Sequence, residues 1–139
     1  MLRRDVTVDE FTTPEPVTAT EEMTIDELRR LMDEYGIRHL PVVRGERVVG
    51  VISDRDVRLV AGLTSDEKRL VRASDIMATE PLVVSAGTRL DEVAYAMSEK
   101  KVGSAIVTEP DGKLLGIFTA TDALNALIEI VRGDGTASS

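Results

Sequence analysis

The chain is written twice. Glu15-Pro16-Val17-Thr18 recurs as Glu80-Pro81-Leu82-Val83, 65 residues on. At the same offset Ile25-Asp26-Glu27-Leu28 returns as Leu90-Asp91-Glu92-Val93, and Met32 returns as Met97. Gly50-Val51-Ile52-Ser53-Asp54-Arg55-Asp56 then reappears as Gly116-Ile117-Phe118-Thr119-Ala120-Thr121-Asp122, now 66 residues on. The added residue falls where Arg44-Gly45-Glu46 becomes Glu109-Pro110-Asp111-Gly112, and a turn is where an insertion is absorbed. This duplication is the strongest constraint on the fold. A unit of about 60 residues buries little surface alone, so two copies gain stability by packing together.

Both copies predict the order β-α-β-β-α. A short extended piece (Pro16–Thr20; Pro81–Ser85) leads into a helix. Thr24-Ile25-Asp26-Glu27 fits a capping box, and Thr88-Arg89-Leu90-Asp91 resembles one. Ile25, Leu28 and Met32 form one apolar stripe at helical spacing, repeated by Leu90, Val93 and Met97. Two hairpins follow, Leu40–Val43 with Val48–Ile52 and Ala105–Val107 with Leu114–Phe118, turning at Gly45 and at Asp111-Gly112. A second helix runs from about Asp54 to Ala61, and its counterpart from about Thr121 to Val131. The expectation is a mixed α/β (α+β) fold with repeats at 8–65 and 72–131, joined by Arg69–Ser74 and related by a pseudo-twofold axis. Gly133–Ser139 has the composition of a disordered tail.

Composition removes several chemistries. The 139 residues hold no Cys and one His, so thiolate metal sites, disulfides and multi-histidine cages are excluded. With 17 Lys+Arg against 25 Asp+Glu, the net charge of −8 argues against a nucleic-acid partner. Two Tyr and two Phe are too few for a base-stacking strip. No stretch approaches the roughly 20 apolar residues of a membrane span. The start lacks the apolar run of a signal peptide, so the expected location is cytoplasmic. Met23, Met32, Met77 and Met97 read as core filling. No carboxylate pair sits in a motif for acid–base work, so neither catalytic nor metal-binding residues are assigned.

Asp75-Ile76-Met77 shortly before Pro81, the Pro41-Val42-Val43 strand and the twice-written Gly-x-x-(Ser/Thr)-x-x-Asp resemble tandem cystathionine-β-synthase (CBS) domains, a pair also called a Bateman module. The resemblance covers roughly residues 8–131. It implies a non-catalytic regulatory module that binds AMP, ADP, ATP or S-adenosylmethionine in clefts between the two domains, as an energy or metabolite sensor. By family analogy the Asp binds ribose, the Ser/Thr lies near phosphate, and the two strands flank adenine. Carried over, the first site holds Val17, Thr18, Pro41, Ser53 and Asp56, and the second Leu82, Val83, Ile106, Thr119 and Asp122. Residue chemistry adds Arg38, His39 and Arg55 to the first and Ser104 and Thr121 to the second.

The residue chemistry fits this implication. A carboxylate can accept from both vicinal hydroxyls of a ribose. A hydroxyl beside the amides of a helix N-terminus suits a phosphate. Arg38-His39 aligns with Gly103-Ser104, and Arg55 with Thr121, so the first copy is the better match to a charged ligand. The competing reading stays open: Ser/Thr and Asp after a strand are also helix caps, and His39 fits a half-buried histidine. No obligatory cofactor is implied, and Mg²⁺ enters only with a polyphosphate. The family resemblance also implies a homodimer, and the module's output requires an effector protein. The alternatives are a ligand-independent dimerisation scaffold and an S-adenosylmethionine sensor.

Overall fold

A computed structural model describes residues 5–137. A 3₁₀ turn at Val8–Glu10 precedes β1 (Thr13–Pro14), β2 (Ala19–Thr20), α1 (Ile25–Tyr35), β3 (His39–Arg44), β4 (Arg47–Ser53) and α2 (Asp54–Ala61). Two short helices, α3 (Ser65–Lys68) and α4 (Ala73–Ile76), lie between the repeats. The second copy continues with β5 (Val83–Ser85), α5 (Leu90–Lys100), β6 (Ser104–Thr108), β7 (Leu114–Thr119) and α6 (Ala120–Ala137). The expected β-α-β-β-α order is present in both copies.

The chain divides into two compact units, and their edges are offset from those of the repeats. One unit comprises Glu15–Pro81; the other joins the chain up to Pro14 with the chain from Leu82 onward. Each copy therefore contributes its leading segment to the unit built on the other copy. Val8 is fully buried with Val93, Met97, Ala105, Val107 and Phe118 of the second copy. Its aligned residue, Ala73, is fully buried with Ile25, Leu28, Leu40, Val42 and Ile52 of the first. The backbone bridges repeat the exchange: Thr7 pairs with Arg89, and Thr24 with Arg72. Arg69–Ser74 is thus more than a joiner, because Ala73 anchors α4 in a core.

In the 15–81 unit the sheet order is β2-β3-β4, with β2 parallel and β4 antiparallel to β3. In the other unit the order is β1-β7-β6-β5. There β5 runs parallel to β6, and β1 pairs antiparallel with β7. An isolated bridge between Val51 and Ala78 takes the place of the β1–β7 pairing in the first sheet. These approaches explain the repeated glycines. A Cβ on Gly50 would lie 2.8 Å from the Ala78 carbonyl oxygen, and one on Gly116 would lie 2.1 Å from that of Thr13. Only a residue without a side chain admits the leading segment so closely.

Local signals mark the helix ends unevenly. Thr24 caps α1 as expected: Glu27 N–H donates to Thr24 Oγ1 (3.2 Å), and Thr24 N–H donates to Glu27 Oε1 (3.1 Å). The Thr88 expectation is corrected. The N-cap of α5 is Arg89, without a side-chain cap bond, and the Thr88 hydroxyl bonds Ser85 Oγ at 3.0 Å. Arg89 is the residue aligned with Thr24, so Thr88 stands one place too early. The tail expectation is also corrected over 133–137, since α6 runs on to Ala137, and residues 138 and 139 lie outside the described residues. Extending a nucleated helix costs far less than starting one, so two glycines at about 1 kcal/mol each do not stop it. Met32 and Met97 are buried in the two cores, and Met23 and Met77 pack against the first.

Candidate functional site

Each proposed residue set lies within one unit. In the first, His39 and Ser53 are direct partners across the β3–β4 ladder, and Asp56 follows in the first turn of α2. Val17 and Thr18 lead into β2, which lies beside β3. In the second, Ser104 pairs with Thr119 across β6–β7, and Asp122 lies in the first turn of α6. Val83 pairs with Ile106.

Both signatures form capping boxes. Asp56 N–H donates to Ser53 Oγ (3.2 Å), and Ser53 N–H donates to Asp56 Oδ2 (3.1 Å). Asp122 N–H donates to Thr119 Oγ1 (3.4 Å), while Thr119 N–H (2.9 Å) and its hydroxyl (3.2 Å) both donate to Asp122 Oδ2. The cap therefore uses one oxygen of each carboxylate. Oδ1 of Asp56 and of Asp122 accepts no hydrogen bond among the described residues. Capping and ligand binding are compatible on this geometry, because the box fixes the carboxylate and leaves an acceptor over.

The amide supply at the helix starts is smaller than the sequence suggests. Asp54 N–H donates to the Arg38 carbonyl at 2.8 Å, and Ala120 N–H donates to that of Gly103 at 3.0 Å. With Asp56 and Asp122 engaged in the caps, the first turns retain the N–H groups of Arg55 and Thr121. These are the positions at which the copies differ, Arg against Thr. An anion at the first helix would meet one amide and a guanidinium; at the second, one amide and a hydroxyl.

Charge separates the sites further. Arg38 and Arg55 are exposed and form no ion pair among the described residues. His39 is half-buried, and burial holds its imidazole below the usual histidine range. Asp54 and Asp56 oppose that effect and Arg38 adds to it, with burial prevailing. His39 is therefore a neutral hydrogen-bonding group near pH 7, and the cationic character rests on the two arginines. Asp54, between the two signature positions Ser53 and Asp56, adds a charge that the motif itself does not specify. Its charge opposes the effect of burial on His39, it pairs with Arg58 at 3.7 Å, and its aligned residue is the uncharged Ala120.

The flanking residues differ in access. Pro41 and Ile106 are fully buried, Ser104 is buried, and Val17, Thr18 and Leu82 are half-buried. Val83 is exposed, as is Thr121. Among the described residues no group of three His, Asp or Glu side chains is placed to hold a metal ion. No helix there is long and apolar enough to cross a membrane.

Comparison with known proteins decides the family. The CBS domain family model matches residues 8–61 and 73–129, one match per sequence repeat. The chain belongs to the CBS domain family. As a tandem CBS pair it is 30% identical to CBSX2, whose crystal structure was determined in complex with AMP. That alignment covers 90% of this chain and 98% of CBSX2, with a TM-score of 0.75. It is 26% identical to a putative acetoin utilization protein (AcuB) from Vibrio cholerae, over 94% of this chain and 96% of that one, with a TM-score of 0.81. It is also 32% identical over 114 residues to inosine-5′-monophosphate dehydrogenase from Korarchaeum cryptofilum, covering 82% of this chain and 23% of the dehydrogenase. The CBS pair thus spans less than a quarter of the dehydrogenases it matches.

Proposed function

We propose that this CBS pair is a non-catalytic regulatory module that binds an adenosine nucleotide, with one site per repeat. The observation that carries the reading is the Ser/Thr–Asp box kept in both copies, each with a carboxylate oxygen left over from the cap. Two vicinal ribose hydroxyls are the donors such an oxygen suits. CBSX2, crystallised with AMP at 30% identity over nearly its full length, supports the same ligand class here. Arg38 and Arg55 make the first repeat the site for the phosphate; the second, with Ser104, Thr119 and Thr121, suits a ligand of lower charge. Mg²⁺ would enter only with a polyphosphate. Binding regulates only so far as the nucleotide favours one arrangement of the module over another, and an effector protein reads that difference in the cytoplasm.

Titrating the full chain with AMP, ADP, ATP or S-adenosylmethionine tests this directly. Saturable thermal stabilisation is expected, about 2.7 kcal/mol at a hundredfold excess over Kd. A melting curve unmoved by all four would refute nucleotide binding.

One observation favours a second reading, in which the module dimerises whether or not ligand is present. Leu124, Leu127, Ile128 and Val131 of α6 are 49–61% exposed and recur at helical spacing, forming an uncovered apolar stripe. A homodimer through this stripe would serve either function. Sedimentation of Leu127→Glu/Ile128→Glu is expected to give a monomer where the parent chain is a dimer. Equal masses for the two proteins would refute the interface.

A further inference from the structure

β2 and β5 are equivalent strands, yet β5 begins one residue earlier. Val83 pairs with Ile106, and the Ile106 N–H donates to the Leu82 carbonyl at 2.8 Å. The aligned residues of the first copy are Thr18, Pro41 and Val17, and there pairing starts only at Ala19 with Val42. The cause is covalent, since proline has no N–H. Pro41 stands in the central strand of its sheet, a place proline avoids because it deletes a ladder bond. The bond it deletes is the one that would reach the Val17 carbonyl. No hydrogen bond among the described residues reaches that oxygen. Val17 and Thr18 are half-buried beside a fully buried Pro41. With no protein donor on it among the described residues, this carbonyl is available to a ligand that supplies one.

We infer that Pro41 is a specificity-determining residue. By withholding an N–H it leaves the Val17 carbonyl to accept from a base-edge donor such as the 6-amino group of adenine. The second repeat lacks this preference because Ile106 holds the Leu82 carbonyl. A 6-oxo purine would set acceptor against acceptor at the first site. The inference rests on the nucleotide-binding reading above and extends it to selectivity between purines.

Calorimetry on the full chain separates the two ideas. In an Asp122→Ala chain, which retains the first site, AMP should bind about 3- to 10-fold more tightly than purine riboside monophosphate, whose C6 carries only hydrogen. IMP should bind more weakly still. Pro41→Ile, which supplies the second copy's residue and its N–H, should narrow the AMP advantage to within about twofold, set against the same hydrogen-bond scale. In an Asp56→Ala chain, AMP and purine riboside monophosphate should bind alike, and Ile106→Pro should introduce a preference for AMP. Equal affinities for the two ligands in the Asp122→Ala chain would overturn the role of Pro41 and leave nucleotide binding intact. Absence of all binding to the parent chain would overturn both. The ligand comparison decides without any change at position 41, so it holds even if Pro41→Ile does not fold.

Discussion

Val8→Asp is expected to unfold the unit built on the second repeat, although Val8 stands at the head of the first. Val8 is fully buried in a cluster with Val93, Met97, Ala105, Val107 and Phe118. Its segment is tied there by Val8 N–H to Thr88 O (2.8 Å) and by Leu90 N–H to Val6 O (2.9 Å), and β1 pairs with β7. The substitution removes about 1.5–3 kcal/mol of apolar burial. It also leaves a carboxylate to be desolvated without a partner, a further cost of several kcal/mol unless it is protonated. A total loss of about 4 kcal/mol or more is a large share of the 5–15 kcal/mol that holds a typical domain. Hydrogen exchange read peptide by peptide should show protection falling across β6 and β7 before it falls across β3 and β4. Loss confined to β3 and β4 would overturn the exchange of leading segments.

The contrast between what was legible and what was not follows from the range of each interaction. Cap chemistry is local, so Thr24 with Glu27 announces α1 within four residues, and the hairpins follow from Gly45 and from Asp111-Gly112. The Ser53–Asp56 and Thr119–Asp122 boxes were legible as either cap or ligand group, and each proves to be a cap with one oxygen over. Thr88 misled because it satisfies a local pattern, whereas the repeat register places Arg89 opposite Thr24. The partners of Val8 and Ala73 could not be read. Each is one apolar residue in a short segment, and nothing in its neighbourhood states which copy's core it joins. The same applies to the repeated glycines, whose purpose is a backbone far along the chain. Pro41 was visible in a strand motif, but its consequence appears only when its unmade hydrogen bond is set beside the one Ile106 makes.

Asp56 tests whether the first signature does more than start a helix. In Asp56→Ala the bond from Ser53 N–H to the carboxylate is lost, at about 1 kcal/mol of stability, while the residue 56 N–H still donates to Ser53 Oγ. If the carboxylate also binds ribose, nucleotide affinity at the first site falls about 10- to 100-fold, the worth of a charge-assisted hydrogen bond. Asp56→Asn divides these effects. Its amide oxygen can still accept from Ser53 N–H, so melting should stay near that of the parent, less the few tenths of a kcal/mol from a charge at a helix N-terminus. Its NH₂ group now takes the place of Oδ1, so the charged acceptor that could take both vicinal ribose O–H donors is gone. Calorimetry should therefore show the first site weakened nearly as much in Asp56→Asn as in Asp56→Ala, with the second site unchanged in both. Parent-like affinity in Asp56→Asn, with only Asp56→Ala melting lower, would reduce Asp56 to a cap. Ligand binding would then have to rest on Arg38, Arg55 and the strand residues, and the duplicated carboxylates would reflect helix initiation alone.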